Sequence, residues 1–195
     1  AGSDAVIGPP EDTDWNITGL NSGNVSGVSF VEVENLRGSA DNEDTFFVSA
    51  GGGLTGVMDG GAGGFDSLVL DGGVFHSVTY VATGPASGTI TRDGQVLRYD
   101  GLEPITDNTV VADRIIATSD FDDEARLKDN GDGTLTLESL SLIPTFEEVT
   151  FAKPTNSLTI KLGADLGIPL LSKDVLTVTG VNLGAASLTV FGENA

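Results

Sequence analysis

Short runs in which apolar and polar residues alternate recur along the whole chain, broken by clusters of Gly, Asn, Asp and Ser. "SLTIKL" (157–162) puts Leu158, Ile160 and Leu162 on one side of an extended chain, with Thr159 and Lys161 on the other. Such a period of two is the signature of a strand with one buried face. The same reading predicts strands at 28–33, 45–50, 67–70, 77–82, 95–99, 134–140, 175–180 and 187–192. The segment richest in helix-like spacing, "TDNTVVADRIIA" (106–117), is heavy in β-branched residues. It reads as a loop followed by a strand. Asp93-Gly94 and Asn130-Gly131 lie between strand-like runs and predict hairpin turns of the primed kind. The fold class expected is all-β.

Composition narrows the function. Against 29 acidic residues stand 9 basic ones, a formal net charge of −20. That surface repels nucleic acid and anionic lipid, so no nucleic-acid partner is expected. Apolar runs are too short to cross a membrane as a helix, and no membrane insertion is expected. Cysteine is absent, which removes disulfides, thiolate metal sites and thiol nucleophiles. The opening "AGSDAVIGPPEDTDW" has neither a basic start nor an apolar core, so the sequence is expected to be a mature form or a piece of a longer chain.

A weak repeat runs through the turns: small or acidic residues, an aspartate, then a β-run. It occurs around Asp4, Asp44, Asp66 and Asp123, and in a decayed copy around Asp174. "GAGGFDSLV" (61–69) is its best copy and matches the calcium-binding template G-G-x-G-x-D-x-U-x at Gly61, Gly64, Asp66 and Leu68. Glycine permits the tight turn and aspartate supplies a hard oxygen ligand. Calcium needs six to eight oxygens, so a neighbouring turn would have to complete the site. The candidate metal residues are Asp44, Gly61, Gly64, Asp66, Asp122 and Asp123, for Ca2+. The alternative is a turn whose aspartate caps backbone amides.

Four stretches in order, "WNITG" (15–19), "GNVSGVSF" (23–30), "ENLRG" (34–38) and "DTF" (44–46), resemble a segment of very large secreted bacterial repeat proteins. These are RTX-like and haemagglutinin-like adhesins. The resemblance is clearest over 15–107 and fades towards the C terminus. It implies a β-solenoid, of parallel β-helix or β-roll type, here with inserted hairpins; a carbohydrate-binding β-sandwich is the alternative. It also implies export or display at the cell surface and a structural or adhesive role, with neighbouring repeats, copies of itself or surface glycans as partners. Two stretches are expected, an N-terminal β module at 1–107 and a C-terminal one at 108–195, continuous with each other. Ala62, Glu124-Ala125 and "LGIPLLSK" (166–173) depart from the repeat.

Catalytic constellations are sparse, and no enzyme is expected. His76 is the sole histidine and reads as an exposed strand residue. No serine sits in a G-x-S-x-G elbow. The acidic run "SDFDDEAR" (119–126) offers paired carboxylates for a polysaccharide-cleaving enzyme, the rival reading, but also suits a solvated or calcium-facing turn. "DNGDG" (129–133) lacks the bidentate glutamate of an EF-type loop and reads as a turn. Trp15 is expected to plug the end of a solenoid rather than to stack on a sugar.

Overall fold

The computed structural model describes residues 2–119, 122–163 and 174–192. Among them every regular element is a strand, in two mixed sheets of nine and ten strands. β1 (Ala5–Ile7) opens the nine-stranded sheet. β2 (Asp14–Gly19), β3 (Ser22–Val25) and β4 (Val28–Val31) form an antiparallel meander at one end of the ten-stranded sheet. The chain then alternates between sheets: β5 (Asn35–Arg37) in the nine-stranded, β6 (Thr45–Ser49) in the ten-stranded, then β7 (Val57–Asp59) and β8 (Ser67–Asp71) likewise. β5 pairs in parallel with β1, β6 with β2, β7 with β5 and β8 with β6.

A second meander of β9 (Val74–Gly84), β10 (Ser87–Arg92) and β11 (Gln95–Asp100) lies in the nine-stranded sheet. β12 (Ile105–Asp107) follows in the ten-stranded sheet and β13 (Val110–Ala117) in the nine-stranded. A third meander, β14 (Glu124–Asp129), β15 (Thr134–Ser139) and β16 (Val149–Ala152), returns to the ten-stranded sheet. Alternation then resumes with β17 (Ser157–Lys161), β18 (Val175–Thr179) and β19 (Ser187–Phe191). Both sheets run unbroken across residue 107: β12 pairs with β8 and β16, and β13 with β9 and β17.

The meanders obey one rule. The third strand of a meander lies in parallel on the strand two elements before its first: β11 on β7, and β16 on β12. Two antiparallel steps restore direction, so every strand except β3, β10 and β15 runs the same way within its sheet.

Period-two alternation explains the core. Inward side chains of both sheets form one buried cluster, with columns such as Leu68–Ile105–Val149 stacked by the parallel register. Trp15 is fully buried, its ring stacked on Phe46 at 5.3 Å, so it has no face for a sugar. The 106–117 segment is a short strand, a two-residue link and a long strand, with no helix. Asp93 and Gly94 both have positive φ (44° and 91°), the primed turn expected there. The other predicted hairpin differs. Between β14 and β15 the link is four residues long, because Asp129 and Asp132 turn their carboxylates onto the N–H groups of Gly131 and Thr134. These local aspartate turns replace the two-residue turn.

Candidate functional site

Each aspartate of the sequence repeat lies one residue ahead of a strand: Asp4 before β1, Asp44 before β6, Asp66 before β8, Asp123 before β14 and Asp174 before β18. At these positions the chain enters the sheet and its N–H groups need partners. Neighbouring rungs supply them. Asp66 Oδ1 accepts the Asp44 N–H at 2.7 Å, Asp174 Oδ1 accepts the Asp123 N–H at 2.9 Å, and Asp12 Oδ1 accepts the Glu43 N–H at 2.9 Å. Of the six predicted metal residues, Asp44, Gly61, Gly64 and Asp66 gather in two stacked turns. Asp122, exposed, and Asp123, buried, lie at a separate place before β14. Asp120 and Phe121 of the acidic run, and 164–173 of the decayed copy, lie outside the described residues.

The glycines let these turns touch. Gly64 has φ +89°, and a Cβ there would sit 1.8 Å from the Asn42 carbonyl oxygen; Gly61 has φ +109°, with the Ser39 carbonyl oxygen 2.1 Å from its would-be Cβ. Backbone lies directly on backbone.

Electrostatics follow from burial. Burial pushes the Asp44 carboxyl up, and the Asn42 amide and the Ser39 N–H only partly offset it. Asp66 is pushed up to about 6 by burial, against the pull of the Asp44 N–H and with added repulsion from Asp44, Asp59 and Glu43. Several of these oxygens already accept hydrogen bonds within the chain. Asp44 Oδ1 takes the Asn42 amide at 2.8 Å and its Oδ2 the Ser39 N–H at 3.3 Å. Asp123 Oδ1 takes the hydroxyls of Ser119 and Thr145. Among the described residues no three His, Asp or Glu side chains converge for a metal ion.

Beside the second turn is a cleft of about 230 Å³, lined by Gly61, Gly63, Gly64, Phe65, Asp66 and Glu103 among others. Phe65 is 76 % exposed there. The Glu103 N–H donates to the Asp66 carbonyl at 2.7 Å, holding the two acidic residues side by side. Burial and the neighbouring Glu148 raise the Glu103 carboxyl, partly countered by a backbone hydrogen bond.

Sequence reasoning missed a polar group inside the core. Asp107 occupies an inward position between Leu70 and Phe151, and Arg114 one between Val78 and Leu158 in the opposite sheet. They meet at 2.5 Å, both fully buried. The Tyr80 hydroxyl also donates to Asp107, and the guanidinium lies between the Tyr80 and Phe151 rings at 5.6 and 5.0 Å. Burial pushes Arg114 down, but Tyr80 and Asp107 more than offset it and the net shift is upward. Tyr99 donates to buried Glu147, which burial pushes up to about 7. The only signal in the sequence was a charged residue at an apolar position of an alternating run.

His76 is exposed on β9, its Nε2 3.8 Å from Asp113. No protein-family model, curated protein or solved structure matches the chain.

Proposed function

We propose that the chain is a structural and adhesive module of a secreted or cell-surface bacterial repeat protein, without enzymatic activity. Its coils form a β-solenoid with inserted three-stranded meanders. Its ends take further coils, from neighbouring repeats or from copies of itself.

The observation that carries this reading is a core that runs out into solvent. Four inward columns lose cover at their last strand: Ala125 to half-buried Leu176, Leu158 to half-buried Leu188, Leu127 to exposed Val178 and Ile160 to exposed Val190. Val178 and Val190 are 46 % and 43 % exposed, while their partners Leu127 and Ile160 are fully buried. At the other end Val28 continues the column of Trp15 and Val25 and is 65 % exposed. Covering such a side chain is worth about 1.5–3 kcal/mol when complete.

Direction favours stacking too. β1 and β19 run the same way at the two edges of one sheet, as do β4 and β18 at the edges of the other. A copy stacked head to tail therefore sets β19 beside β1 and β18 beside β4, in parallel in both sheets at once. The meander rule supports the same partner for β4, whose outer edge is where a strand from a preceding coil belongs.

Small-angle scattering over a concentration series tests this reading. Stacking makes the particle longer at constant cross-section. A particle that stays at the monomer's length at every concentration, or grows equally in all directions, rejects it. In this reading the aspartates of the turns serve backbone N–H groups and calcium is not required, which a melt in its presence checks.

A further inference from the structure

We propose that the cleft beside the Gly61–Asp66 turn binds one neutral pyranose unit of a polysaccharide, its ring laid on Phe65 and its hydroxyls donated to Asp66 and Glu103. This binding site is separate from the ends and does not depend on their stacking.

Phe65 is the first observation. It directly precedes a buried aspartate, yet its ring is 76 % exposed and stands at the rim of the cleft. An exposed aromatic ring beside hydrogen-bonding groups offers an apolar face and a polar edge together, which is what the C–H face and hydroxyl rim of a sugar ring require.

Asp66 is the second. Its residue is only 5 % exposed, and the Asp44 N–H fixes Oδ1 at 2.7 Å and so fixes the plane of the carboxylate. Asp66 lines the cleft, and the hydrogen bond from the Asp44 N–H falls on Oδ1, which leaves Oδ2 as the acceptor for a ligand. A carboxylate oxygen only accepts, so the hydroxyl of a sugar is the donor that fits it. Glu103 adds a second acceptor on the next rung, tied to Asp66 through the backbone.

Size and shape agree. A volume of about 230 Å³ is below the range of drug-sized pockets, roughly 300–1,000 Å³. It suits a single ring of a longer glycan that runs on into solvent. Gly63 and Gly64 leave one wall free of side chains. A metal ion would leave Phe65 without a role, and no third carboxylate converges among the described residues.

The test is an amide NMR titration of the 15N-labelled chain with neutral gluco-, manno- and galacto-configured trisaccharides, and separately with calcium chloride. Glycine amides are well resolved, and those of Gly61, Gly63 and Gly64 report on the cleft. The expected result is a saturable shift of these amides with at least one trisaccharide. Phe65→Ala should weaken it about tenfold, equivalent to about 1.4 kcal/mol. Because Phe65 is exposed, the variant should melt with the wild type, so lost binding is not lost folding. Three results overturn the proposal: no saturable shift with any of the sugars, a shift that survives Phe65→Ala unchanged, or movement of these amides with calcium alone.

Discussion

The backbone N–H of Asp44 donates to the carboxylate of Asp66, 22 residues later in the chain, at 2.7 Å. The Asp123–Asp174 pair repeats the arrangement across 51 residues. An aspartate that reads in the sequence as a metal ligand thus serves the backbone of the adjoining rung. Asp66→Ala leaves the Asp44 N–H buried without a partner and should cost about 1–3 kcal/mol in urea unfolding. Asp66→Asn keeps an acceptor oxygen and should cost less. The same geometry predicts a melting temperature unchanged between excess EDTA and millimolar calcium. A large rise with calcium, absent in Asp66→Ala, would instead make this turn an ion site.

Two kinds of glycine should separate. Gly64 has positive φ and a carbonyl oxygen 1.8 Å from its would-be Cβ, whereas Gly131, at φ +81°, faces open space. Gly131→Ala should cost about 1–2 kcal/mol, the conformational term alone. Gly64→Ala adds a clash of backbone against backbone and should cost clearly more. Equal costs in chemical denaturation would mean that the stacked turns can part without penalty.

The acid groups set a pH profile with a maximum. Asp66 stands at about 6 against an ordinary 3.8, and Glu147 at about 7 against 4.5. A raised carboxyl binds its proton more tightly in the folded state, so stability falls as pH rises from about 4 to about 7. Asp129 is lowered to about 2 by Lys153 and by the N–H groups of Gly131 and Asn182, so its contribution is lost as pH falls from about 4 to 2. Melting temperature should therefore peak near pH 4. Glu147→Gln should flatten the neutral side of the profile, and a profile that climbs steadily to pH 7.5 would contradict this assignment.

Arg114 and Asp107 bridge the two sheets through the core at 2.5 Å. Removing either partner strands a buried charge, so Arg114→Met and Asp107→Leu should each cost about 3–5 kcal/mol. The double substitution should cost less than the sum, and a double-mutant cycle in guanidinium reads the difference. Additive losses would show that the two residues act separately.

The strands were largely legible because one face of each meets the core and the other meets water, as in β17. β14 was hidden in the acidic run, since Glu124, Arg126 and Lys128 face outward and only Ala125 and Leu127 point in. β5 and β7 are three residues long, too short to show a period. The repeat was legible at its aspartates but not in its spacing, because 22 residues separate Asp44 from Asp66 without a meander, whereas the third meander stretches the interval from Asp123 to Asp174 to 51. The exposure of Phe65 and the cross-sheet pair of Asp107 with Arg114 depend on contacts between rungs, which local pattern does not encode.

The most direct test of the stacking account is sedimentation velocity of the wild type and a Val178→Asp/Val190→Asp double variant, from micromolar to near-millimolar protein. Both valines lie on the exposed last rung, so the variant should still fold. The account predicts a sedimentation coefficient that rises with concentration in the wild type. Because the chain carries a net charge of −20, the rise should grow with added salt, which screens the repulsion between copies. The double variant should remain at the monomer value throughout. A wild type that stays monomeric at every concentration and salt, or a variant that associates as readily as the wild type, would contradict the claim that the open core at β18 and β19 is a joint.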